Sequence, residues 1–214
     1  MLKTKWILCD LGNTLVNFDH ILAGKRLAEI AVTKYPDDAG KLPPLQRVFE
    51  FFFHQRDDEP SLNRQLDTGL CGVEKVVELF NREFGLAITI DDFIDAWQAV
   101  FTTTNPDVID AMKRARAKGI RVAICSNTNR YHWEKILEDY PEIQGTYDDI
   151  LMSYRLGCAK TDPEFFARVP HITGVKPEEH LFLDDLPTNI EAAQRAGIPA
   201  LLFEGELPDH EAWS

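Results

Sequence analysis

The stretch Trp6-Ile-Leu-Cys-Asp10-Leu-Gly-Asn-Thr14 constrains this chain more than any other, because an unbroken apolar run ends there in a carboxylate and enters a Gly-Asn-Thr turn. Trp6 to Cys9 show no polar alternation and are bounded by Lys5 and Gly12, the pattern of a parallel strand covered on both faces. In an open parallel sheet, chemistry lies beyond the carboxyl ends of the strands, so Asp10 is expected at a functional edge. A strand-end aspartate could equally cap a turn, and the remainder of the chain has to decide between the two.

After Leu15-Val16 the pattern reads as helical to about Phe101. Leu45, Val48, Phe49 and Phe52 fall at i, i+3, i+4 and i+7, and so do Val73, Val76, Val77 and Phe80, giving each helix one apolar stripe. Pro36, Pro43-Pro44 and Pro60 divide the segment into short helices able to pack on one another as a cap. Phe51 and Phe53 fall off their helix's stripe and are read first as further core of that bundle, with the substrate entrance or a partner as the alternative. Pro106 then opens a helix that Gly119 ends, and the apolar runs Arg121–Cys125, Ile150–Met152, Leu181–Leu183 and Ala200–Phe203 alternate with helical stretches. Alternation at this spacing predicts an α/β fold: a Rossmann-like parallel sheet core, residues 1–16 and 104–214, with an inserted helical cap domain, residues 17–103. The packing of the polar tail around Trp213 is not readable from the pattern.

The net charge of −12 argues against nucleic-acid and anionic-membrane partners, which require clustered Lys and Arg. No run approaches the roughly 18 apolar residues of a membrane span, and Met1 to Lys5 lack a signal-peptide pattern, so a cytoplasmic chain is expected. Cys9, Cys71, Cys125 and Cys158 have no paired spacing and are read as small hydrophobes rather than zinc ligands or disulfides. An anionic substrate would have to be met by local positive groups and a metal.

Three further strand ends or following loops carry polar groups: Ser126-Asn-Thr-Asn129, Lys160 after a Gly-containing loop, and the pair Asp184-Asp185. Two adjacent carboxylates at a buried strand end repel each other unless a cation sits nearby, which points to a metal. Together with Asp10-x-x-x-Thr14 this series resembles the four motifs of the haloacid dehalogenase-like superfamily, mostly phosphohydrolases with an aspartate nucleophile. The helical insertion is similar to the cap of subfamily I. Asp10-Leu-Gly-Asn13, Trp97-Gln-Ala-Val-Phe101, Ser126-Asn-Thr-Asn-Arg130 and Tyr140-Pro-Glu-Ile143 resemble the branch that includes bacterial α-D-glucose-1-phosphate phosphatases.

The resemblance implies a Mg²⁺-dependent phosphatase of a small phosphorylated metabolite, with a sugar phosphate as candidate, working through an aspartyl-phosphate on Asp10. Asp10, Ser126 and Lys160 would be catalytic; Asn13, Thr14, Ser126, Asn127 and Lys160 would bind the phosphate. Asp10, the Gly12 carbonyl, Asp184 and Asp185 would hold Mg²⁺. A small-molecule substrate and a monomer or homodimer are expected. Two departures stand out. Thr161-Asp162 delays the proline that commonly follows the motif's lysine, which puts the local turn in question. Gly12 occupies the position of a second aspartate that serves as general acid and base, help typically worth about 10²–10⁴-fold. Better leaving groups, anomeric and acyl phosphates among them, would suffer least from its loss. His20 and His132 are candidates for that role, but each reads first as a packing or surface histidine. The competing readings are a 2-haloacid dehalogenase-type hydrolase, which also lacks that aspartate but needs no Mg²⁺, and a catalytically weak binding protein on the same fold.

Overall fold

A computed structural model describes residues 4–55 and 59–214. Residues 1–3 of the expected core and 56–58 of the expected cap lie outside the described residues. The main sheet has five parallel strands in the order β5-β4-β1-β6-β7, where β1 is Trp6–Cys9, β4 Arg121–Ser126, β5 Asp149–Met152, β6 His180–Asp184 and β7 Ala200–Leu202. Two shorter strands, β2 (Val16–Phe18) and β3 (Phe101–Thr104), form an antiparallel ribbon.

Strand β1 is central because all four of its residues are buried. Ile7 and Cys9 face one apolar layer with Val108, Met112, Trp133 and Ile136, from the helices α6 (Pro106–Ala117) and α7 (Arg130–Asp139). Trp6 and Leu8 face the opposite layer with Phe165, Phe166 and Ile190, from α9 (Pro163–Thr173) and α10 (Pro187–Arg195). A strand alternates its side chains between faces, so one without polar positions requires cover on both, and this one has it. The tail also contributes: Trp213 is buried in the first layer, with its Nε1 donating to Pro208 O at 2.9 Å and its carbonyl accepting from Arg114 Nε at 2.7 Å.

Between β2 and β3 run α1 (His20–Lys34), α2 (Leu45–Phe53), α3 (Leu62–Asp67), α4 (Val73–Phe84) and α5 (Ile90–Gln98), packed around a separate apolar cluster. The stripe Val73, Val76, Val77 and Phe80 is buried there as its spacing requires. Helix α2 departs from expectation. Its one buried residue is the off-stripe Phe51, which meets Phe80 and Phe84 edge-on or tilted, while Leu45, Val48, Phe49 and Phe52 are half-buried and Phe53 is 45% exposed. The stripe turns instead toward a cleft between helices, so an amphipathic period located an apolar face without saying whether protein or open space lies against it.

The helical reading from Val16 to Phe101 also fails at both ends, where the ribbon takes over. Val16 pairs with Thr104 and Phe18 with Phe101, and Asn17 Nδ2 donates to Thr103 Oγ1 at 3.0 Å. Strands this short carry no usable periodicity, and their partners are far apart in sequence. The expected boundaries near residues 16 and 104 fall within this ribbon. A short helix, α8 (Ser153–Leu156), also lay outside the reading. No helix among the described residues is long and apolar enough to cross a membrane.

Candidate active site

The order of the sheet brings the polar strand ends together. Cys9 is level with Ile124 of β4 and Leu183 of β6, so Asp10, Ser126 and Asp184 emerge at one carboxyl edge, where the strand order reverses around β1. The turn after Asp10 is held by Leu15 N and Val16 N, both donating to Leu11 O, at 3.0 and 2.8 Å. Asn13 sits within it at φ 55°, a left-handed conformation that Asn tolerates better than most residues, and its Oδ1 accepts from Phe18 N at 3.3 Å.

Lys160 is the centre of the site. It is 1% exposed, and its Nζ donates to Asp10 Oδ1 and, at 2.6 Å, to Asp184 Oδ2. Burial opposes its charge, yet Asp10 and Asp184 hold its pKa well above the usual lysine range. Burial pushes the Asp10 carboxyl up to about 7, with Lys160 pulling against it and Asp184 adding to it. Burial and the neighbouring Asp184 also raise Asp185, opposed by Lys160 and by the Asn13 side chain.

Asp184 is fully saturated by protein donors. Its Oδ1 accepts from Leu186 N at 2.8 Å and from Asn189 Nδ2 at 2.9 Å, while its Oδ2 accepts from Asn189 Nδ2 at 3.1 Å as well as from Lys160. Asp185 is half-buried and carries no such set. Asp10, Asp184 and Asp185 each offer an oxygen within 4.8 Å of the others, an all-oxygen donor set that fits a hard divalent cation such as Mg²⁺.

The remaining candidates are placed as follows. Ser126 is buried at the end of β4. Asn127 is exposed and its Oδ1 accepts from Lys160 N at 2.8 Å, which ties the loop after β4 to the lysine's loop. Thr14 is fully buried, and among the described residues its Oγ1 is the buried side-chain polar atom without a hydrogen-bond partner. The delayed proline is accommodated by a turn in which Asp162 N donates to Ala159 O and Ala159 N to Asp162 Oδ2, both at 2.8 Å, so Pro163 starts α9 directly after it. At Gly12 a Cβ would lie 2.8 Å from Phe18 Cε1, so that ring covers the place a longer side chain would take.

Several residues near the site escaped the sequence reading. Asn189 lies on the first turns of the helix after the acidic pair, a spacing that could have flagged it. Asp67 and Arg64 of α3 had no local signal. Asp67 accepts from Asn129 Nδ2 at 3.0 Å and from Asn63 Nδ2 at 2.9 Å, and burial outweighs these bonds to raise its carboxyl to about 6. Arg64 pairs with Asp162 and donates to Thr161 Oγ1 at 3.3 Å. His132 lies against Trp97 and Phe101, its Nε2 3.2 Å from Trp97 O, and burial lowers it to about 4. His20 meets the Phe18 ring edge-on at 4.9 Å. Both histidines are packing residues in this structure.

Residues 4–197 match the model of a hydrolase family described as haloacid dehalogenase-like hydrolase. A D-ribitol-5-phosphate phosphatase from Bacteroides thetaiotaomicron is 24% identical over 219 residues, covering 97% of this chain and 93% of that protein. Three other curated relatives are 27–36% identical over stretches covering 31–52% of their length, so the chain spans about half of them or less. Among solved structures, an HAD family enzyme from Bacteroides thetaiotaomicron in complex with magnesium and inorganic phosphate shares the fold at TM-score 0.76 and 22% identity, covering 95% of this chain and 96% of that one. An L-2-haloacid dehalogenase from Xanthobacter autotrophicus shares it at TM-score 0.56 and 17% identity, covering 92% of this chain and 76% of that one.

Proposed function

Because the chain belongs to the haloacid dehalogenase-like hydrolase family, we propose that it is a Mg²⁺-dependent phosphatase of a small phosphorylated metabolite, using Asp10 as nucleophile. The observation that carries this reading is the buried Lys160 shared by Asp10 and Asp184, with Asp185 completing a carboxylate cluster. Three carboxylates and one ammonium leave a net negative pocket, which an anion enters only when a further cation is present. The relatives named as phosphatases lend the reading further support.

In this scheme the Asp10 carboxylate attacks phosphorus and the leaving oxygen departs, taking its proton from solvent, to give an aspartyl-phosphate that water then hydrolyses to phosphate and free Asp10, so one difficult displacement becomes two easier ones. Lys160, aimed by Asp184, neutralises charge on Asp10 and on the phosphoryl oxygens. Ser126 donates to one of those oxygens, and Asn127 holds the loop that presents it. Asp10, the Gly12 carbonyl and Asp185 would hold Mg²⁺, with Asp184 nearby but already occupied by donors. When bound, Mg²⁺ supplies the positive charge that lets nucleophile and phosphate approach each other. The helices between β2 and β3 act in this reading as the cap that selects the organic group, and the branch resemblance puts a sugar phosphate among the candidates to test.

The test is phosphate release from sugar, acyl and nucleoside phosphates, with Mg²⁺ or with a chelator. Metal-dependent release that disappears in Asp10→Asn is the expected result; undiminished release in that variant removes Asp10 from the scheme. Gly12 and the solved dehalogenase of the same fold favour a second reading, hydrolytic dehalogenation. Halide release from a 2-haloacid without added metal would establish it, and the carboxylate cluster weighs against it.

A further inference from the structure

Between α1, α2, α4 and α5 lies a chamber of about 60 Å³, open at its rim and walled by His20, Phe49, Phe52, Phe53, Phe93 and Trp97 among others. Its walls are built against the loops that carry the site. On one side His20 lies edge-on to Phe18, the ring that covers Gly12 two residues beyond Asp10. On another side Trp97 lies 4.5 Å from His132, on the helix that follows the Ser126 loop. On a third, Asn63 donates to Asp67, which accepts from Asn129 three residues beyond Ser126. The chamber thus abuts the loops that carry Asp10 and Ser126.

We propose that the organic group this chamber takes is apolar, a short hydrocarbon chain or the edge of a single ring carried on a phosphate monoester, and not a polyhydroxylated sugar or sugar alcohol. This deepens the phosphatase reading and rests on it. Of the lining side chains, His20, Asn63 and the indole N–H of Trp97 alone offer polar groups, and Asn63 already gives one of its two amide N–H groups to Asp67. His20 is surrounded by rings, Phe49 at 5.8 Å and Phe53 at 5.4 Å, and burial lowers its pKa, so it offers neither a full charge nor several donors. A pentitol phosphate brings four hydroxyls into such a site. Each one buried without a partner costs on the order of tenfold in binding. With His20, Asn63 and Trp97 serving three of them, the penalty left is about tenfold.

The test uses pairs of primary alkyl phosphates of similar size: pentyl phosphate against D-ribitol 5-phosphate, and cyclohexylmethyl phosphate against glucose 6-phosphate, each with Mg²⁺. The expected kcat/KM favours the hydrocarbon member by about tenfold. A ratio of one or less overturns the proposal. Acetyl phosphate, with an activated leaving group and almost no organic body, reports phosphoryl transfer alone. Turnover of acetyl phosphate with the sugar members preferred leaves the phosphatase reading standing and defeats the apolar chamber. No turnover of any compound defeats the phosphatase reading. The chamber is then read by calorimetry with pentylphosphonate and D-ribitol 5-phosphate, where tighter binding of the polyol overturns the proposal and tighter binding of the phosphonate sustains it. Val48→Thr keeps the shape of the wall while adding a hydroxyl, and Phe49→Asn adds a larger polar group. Both should lower the hydrocarbon-to-polyol ratio, and an unchanged ratio in two folded variants refutes the role of this wall.

Discussion

Replacing Lys160 by Met keeps the length of the side chain and removes its charge from between Asp10 and Asp184. At the 2.6 Å separating Nζ from Asp184 Oδ2, a unit charge pair gains roughly 6 kcal/mol at an effective dielectric of about 20. The contact to Asp10 adds a comparable attraction, and desolvation of the three buried ions offsets much of the sum. What the variant loses is then the cost of leaving carboxylates buried without their cation, about 3–5 kcal/mol when one partner of a buried pair is removed. For a chain of 214 residues that corresponds to a melting temperature lower by about 6–20 °C. Thermal unfolding followed by circular dichroism in a chelator reads it directly. The deficit should shrink as the pH falls, because without Lys160 the native carboxyls take up protons more readily than the unfolded chain does. It should shrink again with millimolar Mg²⁺, which returns a cation to the cluster, so the variant gains more from the metal than the parent does. A loss under about 1 kcal/mol in chelator, or a deficit indifferent to both pH and Mg²⁺, would refute the electrostatic account of the site.

At Gly12 the backbone is unstrained and the obstacle is the Phe18 ring, so Gly12→Ala should destabilise by about 1–2 kcal/mol and Phe18→Ala should relieve most of that; additive effects in a double-mutant cycle by urea unfolding would disprove the contact. His132 is held near 4 against an ordinary 6.5, so its contribution is complete above the unfolded value and is lost as the pH falls from about 6.5 toward 4. Between pH 7 and 4.5 the parent should therefore lose about 2 kcal/mol more than His132→Gln, and equal losses would remove this histidine as the cause. Asp185→Asn should raise the Mg²⁺ concentration needed for half-maximal activity by tenfold or more, because Asp185 is half-buried and lacks the four donor contacts that occupy Asp184. Asp184→Asn should act mainly by misorienting Lys160, with a lower kcat and a smaller change in metal requirement; the reverse ranking would reassign the two roles.

The parallel sheet and the gathering of polar strand ends at one edge were readable from the chain because both depend on local pattern. Apolar runs of four to six residues ending in Asp10, Ser126 and Asp184 announce strands buried on two faces, and α/β topology sends such ends to one edge. The charge logic of Asp184-Asp185 is local as well, since adjacent carboxylates repel wherever they are buried. What remained hidden depends on pairings between distant residues. The β2/β3 ribbon joins Phe18 to Phe101, and nothing near either residue marks the other. The stripe on α2 looked like core because periodicity reports the apolar face of a helix and not what lies opposite it, and there it lines a chamber while Phe51 makes the buried contacts.

The sequence by itself therefore marked the polar strand-end residues Asp10, Ser126 and Asp184 and the edge they share, because hydrophobic period and strand ends are properties of short segments. Only the tertiary structure decided that Asp184 is saturated by Asn189, Leu186 and Lys160 while Asp185 is not, that Phe18 occupies the space over Gly12, and that aromatic side chains from α1, α2 and α5 wall the chamber beside them. The physical reason is that hydrogen-bond saturation, steric exclusion and the polarity of a cavity arise from atoms brought together by folding, and no one segment contains all of them.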